Sequence, residues 1–388
     1  MEQLSFDDFI YEKYKIKKPI RLIELFSGYG SQALALKFLD ANFETYKICE
    51  FDKYAVQTYN AFNDTNFNTS DITKIHASDL EIVDTNKYEY IMVYSFPCTD
   101  LSIAGKMQGM QSGTGTRSAL LWEVERLLNE MQEKPQVLIM ENVPQVLKAE
   151  GWSEWLEKLK SFGYTNYIKV LNAKDFYIPQ NRERCFMVSI LNETAAYIFP
   201  KKLKLDYALK DILEHNVEEK YFISNDKATE LISKLRHKDT VLIDMVQAKR
   251  EGRPREYKDI APTLNARDYK EPRLIQVGEL DIKGQDIVRR VYDPQGLAPT
   301  LTTMQGGNRQ PKIITQTRVR KLTPSECFKL MGVPNSINTK ATVSNSQQYK
   351  QAGNSIVTTV LMAIFGELLG IDYVTKIKEL AKQLKNSA

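Results

Sequence analysis

The chain has 388 residues, 43% hydrophobic and 26% charged, with a formal net charge of +4, a composition that suits a globular protein with room for a large domain and a smaller one. No apolar run reaches membrane-spanning length and the acidic start Met1–Asp8 lacks the regions of a signal peptide, so a cytoplasmic location without membrane contact is expected. Four scattered cysteines (Cys49, Cys98, Cys185, Cys327) and three dispersed histidines form neither a disulfide framework nor metal-ligand spacing, so a reducing compartment and no metal are expected.

In chain order, Ile20–Phe26 reads as a strand, Ser27-Gly28-Tyr29-Gly30 as its turn and Ser31–Leu39 as a helix with apolar periodicity. A second strand ends at Ile48-Cys49-Glu50, and another helix follows from Lys53. The β-branched and aromatic run Tyr90–Tyr94 is a buried strand that stops at Ser-Phe-Pro. Cys98 therefore falls at its carboxyl edge, where open α/β sheets place their ligands, with a flexible stretch Ser102–Gly109 beyond it to close over a substrate. A helix is predicted from about Leu120 to Met131, and Val137–Met140 is a further buried strand closed by Glu141-Asn142-Val143-Pro144. Trp152, Trp155, Leu156, Leu159 and Phe162 fall at helical spacing before Gly163, a stripe that reads as core. Alternating strands and helices through about residue 192 predict an α/β domain with a largely parallel, doubly wound, Rossmann-like sheet.

From residue 193 to 317 the chain has fewer helical periods and more Gly, Pro, Arg and Thr, which predicts a smaller β-rich domain. It holds an internal echo, since Ile260-Ala261-Pro262-Thr263-Leu264 returns as Leu297-Ala298-Pro299-Thr300-Leu301, a repeat of about 37 residues. Between Lys249 and Arg320 lie fifteen Lys and Arg against nine Asp and Glu, which leaves the rest of the chain slightly acidic. A basic segment on such a body points to a polyanion partner, most simply nucleic acid. Thr323-Pro324-Ser325-Glu326 then starts a helix, and the chain from Ser355 to Leu384 is strongly helical. Residues 1–192 and 318–388 are thus expected to form one domain around the inserted segment 193–317.

Gly28-x-Gly30-x-x-Ala33 between strand and helix, with Glu50 ending the next strand, fits a dinucleotide site and an S-adenosylmethionine site equally. Glu141 at a strand end can hold a raised pKa and donate a proton, although taken alone it reads more readily as a helix-capping or salt-bridged surface acid. Arg182 and Arg184, spaced by one before the apolar run Cys185–Val188, would point the same way on a strand and reach one anion or base edge. Taken together, these residues describe a cofactor pocket beside a nucleophile and an acid. Hydride transfer does not need the thiol, whereas methylation of an unreactive pyrimidine carbon does. Thiolate addition at C6 of cytosine, aided by a proton at N3, turns C5 into a nucleophile able to attack a sulfonium methyl.

Phe26-Ser27-Gly28-Tyr29-Gly30, Ser95-Phe96-Pro97-Cys98, Glu141-Asn142-Val143, Gln180-x-Arg182-x-Arg184, Arg320-Lys321-Leu322-Thr323-Pro324-x-Glu326-Cys327 and Gln351-Ala352-Gly353-Asn354-Ser355 resemble, in order, motifs of the cytosine-C5 DNA methyltransferases. The resemblance spans nearly the whole chain and includes the variable segment before the Arg320 motif. It implies a bacterial or phage type enzyme that uses S-adenosylmethionine, held by Phe26, Gly28, Gly30, Glu50, Phe51, Asp71, Ile72, Pro97, Leu120, Asn354 and Ser355. It implies Cys98 as nucleophile, Glu141 on cytosine N3, Arg184 on O2, and Arg182 near the active-site loop and backbone. Thr300 resembles the family's phosphate-contacting threonine, although the doubled unit leaves Thr263 as the alternative. Thr99 and Ala352 depart from frequent family choices without touching this chemistry.

Sequence-specific methylation of double-stranded DNA by a monomer, with the target base flipped out, is the expected function, and a cognate restriction endonuclease is the partner implied for modification enzymes. The base readers are expected among Asn265, Arg267, Arg289, Gln305 and Arg309. An RNA cytosine methyltransferase, a non-catalytic nucleic-acid binder and a nicotinamide oxidoreductase are the competing readings. The first sits poorly with some 120 residues of β-rich segment. The second has no use for Cys98, Glu141 and Arg184 together, and the third leaves Cys98 and the basic segment without a role.

Overall fold

A computed structural model describes residues 12–97, 120–192, 195–222, 242–244, 255–257, 259–264, 274–277, 291–292, 312–313 and 318–386. Its first strands and helices alternate: β1 (Ile20–Leu25), α1 (Ser31–Phe38), β2 (Phe43–Cys49), α2 (Lys53–Asn63), β3 (Glu89–Tyr94), α3 (Leu121–Glu130), β4 (Val137–Asn142) and α4 (Trp152–Ser161). After them come β5 (Tyr164–Asn172), β6 (Gln180–Asn181) and β7 (Glu183–Leu191). Six strands form the central sheet in the order β2-β1-β3-β4-β7-β5. β1 to β4 run parallel as predicted, while β7 runs antiparallel to both β4 and β5.

Strand periodicity divides the core into two. Leu22, Ile91, Val93, Val137, Ile139 and Val188 face one cluster, and Ile23, Leu25, Met92, Tyr94, Leu138, Met140 and Met187 face the other. The second side is covered by α3 and α4, where Trp122 of α3 and the stripe residues Trp152, Trp155 and Leu159 of α4 are buried.

The carboxyl-terminal part forms α5 (Pro324–Lys329), α6 (Asn335–Asn338), α7 (Asn345–Asn354), α8 (Thr358–Leu369) and α9 (Tyr373–Asn386). Thr323 caps α5 reciprocally with Glu326, at the helix start expected there. The expected helical stretch from Ser355 is broken in two at Gly370, whose φ of 67° ends α8. α8 is buried on nearly every face because it lies against α1 within the first core cluster. No single helix among the described residues is long and apolar enough to cross a membrane.

Between the two parts, Tyr197, Tyr207, Leu209 and Ile212 still pack into the first cluster. Further along, β8 (Leu242–Asp244), β9 (Arg255–Tyr257), β11 (Leu274–Val277) and β14 (Arg318–Lys321) form an antiparallel sheet in the order β14-β11-β8-β9. β12 (Val291–Tyr292) pairs with β13 (Lys312–Ile313), and β10 (Ala261–Pro262) leaves this region to pair with β6.

Candidate active site

Parallel register brings the chemistry to one edge. Leu25 pairs with Cys49 and Tyr94, and Tyr94 pairs with Met140, so Phe26, Glu50, Ser95–Pro97 and Glu141 all leave the sheet at the same level.

The turn after β1 forms a cradle. Phe26, Gly28 and Gly30 have φ of 59°, 58° and 81°, the left-handed region in which a phenylalanine is held only by its surroundings. The Phe26 N–H donates to Cys49 O at 2.7 Å, which pins that turn to the end of β2. Gly30 has no room for a side chain, since a Cβ would lie 2.5 Å from Asn63 Nδ2 and from Tyr59 Cε2. Among the described residues Gly28 has nothing within 4 Å on its side, an open floor over which a ligand can approach the backbone.

Glu50 closes this floor. Its Oε2 accepts the Gly28 N–H at 3.0 Å and its Oε1 the Asp52 N–H at 2.9 Å, while burial raises its pKa above the ordinary carboxyl value. The carboxylate keeps accepting capacity for a further hydroxyl donor. Beside it the Phe51 ring stands 79% exposed, an apolar surface available for stacking. Ser70 N–H donates to Glu50 O at 2.9 Å and brings Asp71 and Ile72 to the same rim. Asp71 accepts the N–H and hydroxyl of Thr73, which hold its carboxyl below the usual range, and the Ile72 side chain is buried in the second core cluster. Leu120, half-buried, precedes α3 on that side. From the other side, Lys350 pairs with Asp52 at 2.7 Å and Gln351 donates to Tyr54 O at 2.9 Å, so the end of α7 is docked on the cradle. That docking leaves Asn354 exposed and sets Ser355 Oγ 3.4 Å from Ser31 Oγ.

At the end of β4 the Glu141 carboxylate is buried, and Arg184 Nε lies 3.2 Å from its Oε1. Burial raises the Glu141 pKa even though Arg184, and more weakly Arg182, pull it down. A carboxyl balanced in this way can carry a proton that an exposed glutamate would have lost. Arg184 Nη1 donates to Glu183 O at 2.7 Å, and its Nη2 has no partner among the described residues. Asn142, next to Glu141, donates through Nδ2 to Phe96 O at 3.1 Å and accepts the Val143 N–H at 2.8 Å. The turn that leads through Pro97 to Cys98 is thereby tied to the strand that carries Glu141.

The two arginines do not share one target. Arg182 falls in the break between β6 and β7 rather than on a regular strand, and its buried guanidinium donates to Leu264 O at 3.0 Å, Gly353 O at 3.0 Å and Ser355 O at 2.7 Å. It joins three separate stretches of chain, and only Arg184 lines the acid.

Sequence reading missed Asn142, Asn172 and Gln180 as supports. Asn172 accepts the Arg182 N–H at 3.2 Å, and Gln180 donates to Leu330 O at 2.9 Å from a fully buried position. Asn142 and Gln180 stood in the quoted motifs without a role, and Asn172 was marked only as a polar residue at the end of an apolar stretch. Cys98, Asn265, Arg267, Arg289, Thr300, Gln305 and Arg309 lie outside the described residues. Of the other thiols, Cys49 and Cys185 are buried and pushed up to about 11 and about 12 by burial, poor nucleophiles both.

The family model of the C-5 cytosine-specific DNA methylases matches residues 20–370. The chain is 35% identical over 280 residues to the type II methyltransferase M2.ScrFI of Lactococcus lactis subsp. cremoris, a match over 71% of this chain and 65% of that protein. It is 31% identical over 357 residues to the type II methyltransferase M.HhaI of Haemophilus parahaemolyticus, spanning 89% of this chain and 93% of that one. The orphan methyltransferase M.SPBetaI of Bacillus phage SPbeta is 27% identical across 93% of this chain and 99% of its own length. Among solved structures, the Entamoeba histolytica methyltransferase EhMeth shares the fold with a TM-score of 0.65 at 18% identity, over 91% of this chain and 98% of that one. The chain belongs to the C-5 cytosine-specific DNA methylase family, and it is a DNA (cytosine-5)-methyltransferase.

Proposed function

We propose that the enzyme acts as a monomer on double-stranded DNA, flips a target cytosine into the edge formed by β3, β4 and β7, and methylates it through a covalent adduct with Cys98. The observation that carries this reading is the pair of buried Glu141 and half-buried Arg184 at 3.2 Å, an acid and a donor set side by side at the sheet edge that Pro97 leads into. Glu141 would hold and protonate cytosine N3, and Arg184, through the Nη2 face left without a partner among the described residues, would donate to the base O2. Proton delivery at N3 draws electron density from C6, where the Cys98 thiolate adds. Removal of the C5 proton and elimination of the thiol then restore the ring. A stacked base offers no path to C6, so flipping is required.

The open floor at Gly28, the two-sided Glu50 carboxyl and the exposed Phe51 ring fit S-adenosylmethionine. Glu50 would hold its ribose hydroxyls, Phe51 and Ile72 its adenine, Asp71 the adenine amino group, and Phe26, Gly28, Gly30, Pro97, Leu120, Asn354 and Ser355 the rest of the pocket. Bound there, it supplies a sulfonium methyl to the activated C5.

Residues 1–192 and 318–388 would form the catalytic domain, and the basic segment 193–317 would enter the major groove, although its start to about residue 212 shares the catalytic core. Thr300 would hold a phosphate, with the base readers among Asn265, Arg267, Arg289, Gln305 and Arg309. The deciding experiment incubates unmethylated genomic DNA with enzyme and S-adenosylmethionine and reads it by bisulfite sequencing. Protected cytosines in one short recurring context are expected; protection of RNA but not DNA, or of neither, overturns the reading.

A further inference from the structure

The internal repeat has a consequence for the site. Its first copy does not stay with the β-rich segment. Ala261 and Pro262 lie parallel to Gln180 and Asn181, and the Ala261 N–H donates to Pro179 O at 2.7 Å. Ala261 and Leu264 are buried in the core of the catalytic body. Leu264 N–H donates to Gln180 Oε1 at 3.3 Å, and Leu264 O accepts Arg182 Nη1 at 3.0 Å. The Thr263 hydroxyl donates to Asn181 O at 2.8 Å.

That last bond decides between two roles. A threonine hydroxyl has one proton, and a phosphate oxygen only accepts. While Thr263 donates to Asn181 O, it has no proton to give to DNA. We propose that the first Ala-Pro-Thr-Leu unit is a docking strap on the catalytic body, and that Thr263 is a positioning residue which acts on the target cytosine through Arg182. The path is short. Thr263 and Leu264 hold the backbone and side chains of Gln180–Arg182, Arg182 also grips Gly353 and Ser355 at the end of α7, and Arg184 two residues on carries the pair with Glu141. The strap thereby registers the start of the DNA-facing segment against both the base-holding pair and the helix that docks on the cofactor cradle. This inference rests on the cytosine methylation reading given above.

The test compares Thr263→Val, Thr263→Ser and Thr300→Val in the full chain, measuring DNA Kd and kcat separately. Thr263→Val is expected to lower kcat about fivefold, the effect of one hydrogen bond, with DNA Kd within about twofold of the wild type. Thr263→Ser, which keeps the hydroxyl, restores kcat, whereas Thr300→Val weakens DNA binding. Loss of DNA affinity in Thr263→Val matching that of Thr300→Val, or an unchanged kcat, overturns the strap. If the wild type itself methylates no DNA, the methylation reading fails instead. Hydrogen exchange at the Leu264 amide then judges the strap, which predicts faster exchange in Thr263→Val and is overturned by an unchanged rate.

Discussion

Arg184 Nε and Glu141 Oε1 lie 3.2 Å apart, joining β7 to its antiparallel neighbour β4 at the edge where Pro97 also emerges. The reversal of β7 makes this possible. In an all-parallel sheet the start of β7 would lie at the opposite edge, some 20 Å away for a strand of six residues. The one departure from parallel order therefore sets the arginine on the acid.

Glu141→Gln keeps the shape of the side chain but has no proton to deliver, and kcat is expected to fall about 10²- to 10⁴-fold with DNA binding retained. Burial raises the Glu141 pKa, so the protonated form persists above the usual carboxyl range and is lost as pH rises. Arg184 is the strongest influence pulling that pKa down, so in Arg184→Ala the alkaline limb of the residual activity should move to higher pH. A pH profile of single-turnover methyl transfer checks both, and a limb that does not move removes Glu141 from the proton path.

Asn142→Ala cuts the tie to Phe96 O and leaves Glu141 in place. Misplacing the turn that precedes Cys98 should cost about 10- to 100-fold in kcat while the Kd for S-adenosylmethionine is kept. Equal losses in both would make Asn142 a general support of the fold.

Cys98→Ala is expected to abolish methyl transfer with DNA binding intact. Target DNA containing 5-fluorocytosine should trap a covalent adduct on the wild type, because fluorine at C5 blocks the final elimination. Mass spectrometry of the digested adduct locates the bond, and attachment at any other residue refutes the assignment.

Glu24 is a fully buried carboxyl on β1 that accepts the Tyr59 hydroxyl, and burial pushes its pKa up to about 8. Between pH 4.5 and 8 the folded chain keeps a proton that the unfolded chain releases, so stability falls as pH rises through that window. Glu24→Gln removes this dependence and should stabilise the fold at pH 8 by roughly 2–4 kcal/mol relative to wild type, measured by urea unfolding at pH 5 and pH 8. An equal change at both pH values shows that Glu24 does not titrate in the fold.

Much of this protein follows from local order in the chain. The alternation of buried strands with helices, the turn at Gly28 and Gly30, the capping box at Thr323 and the acid after β4 are short-range patterns, because period and turn chemistry act between near neighbours. The same patterns misplaced Arg182, which alternation along a strand would have set beside Arg184. A break between β6 and β7 turns it instead toward carbonyls 82 and more than 170 residues away in sequence. Nor does any local signal tell Thr263 from Thr300, since both stand in the same four residues. What placed the first copy was a dock, the edge of β6, and that dock exists only once the sheet has closed.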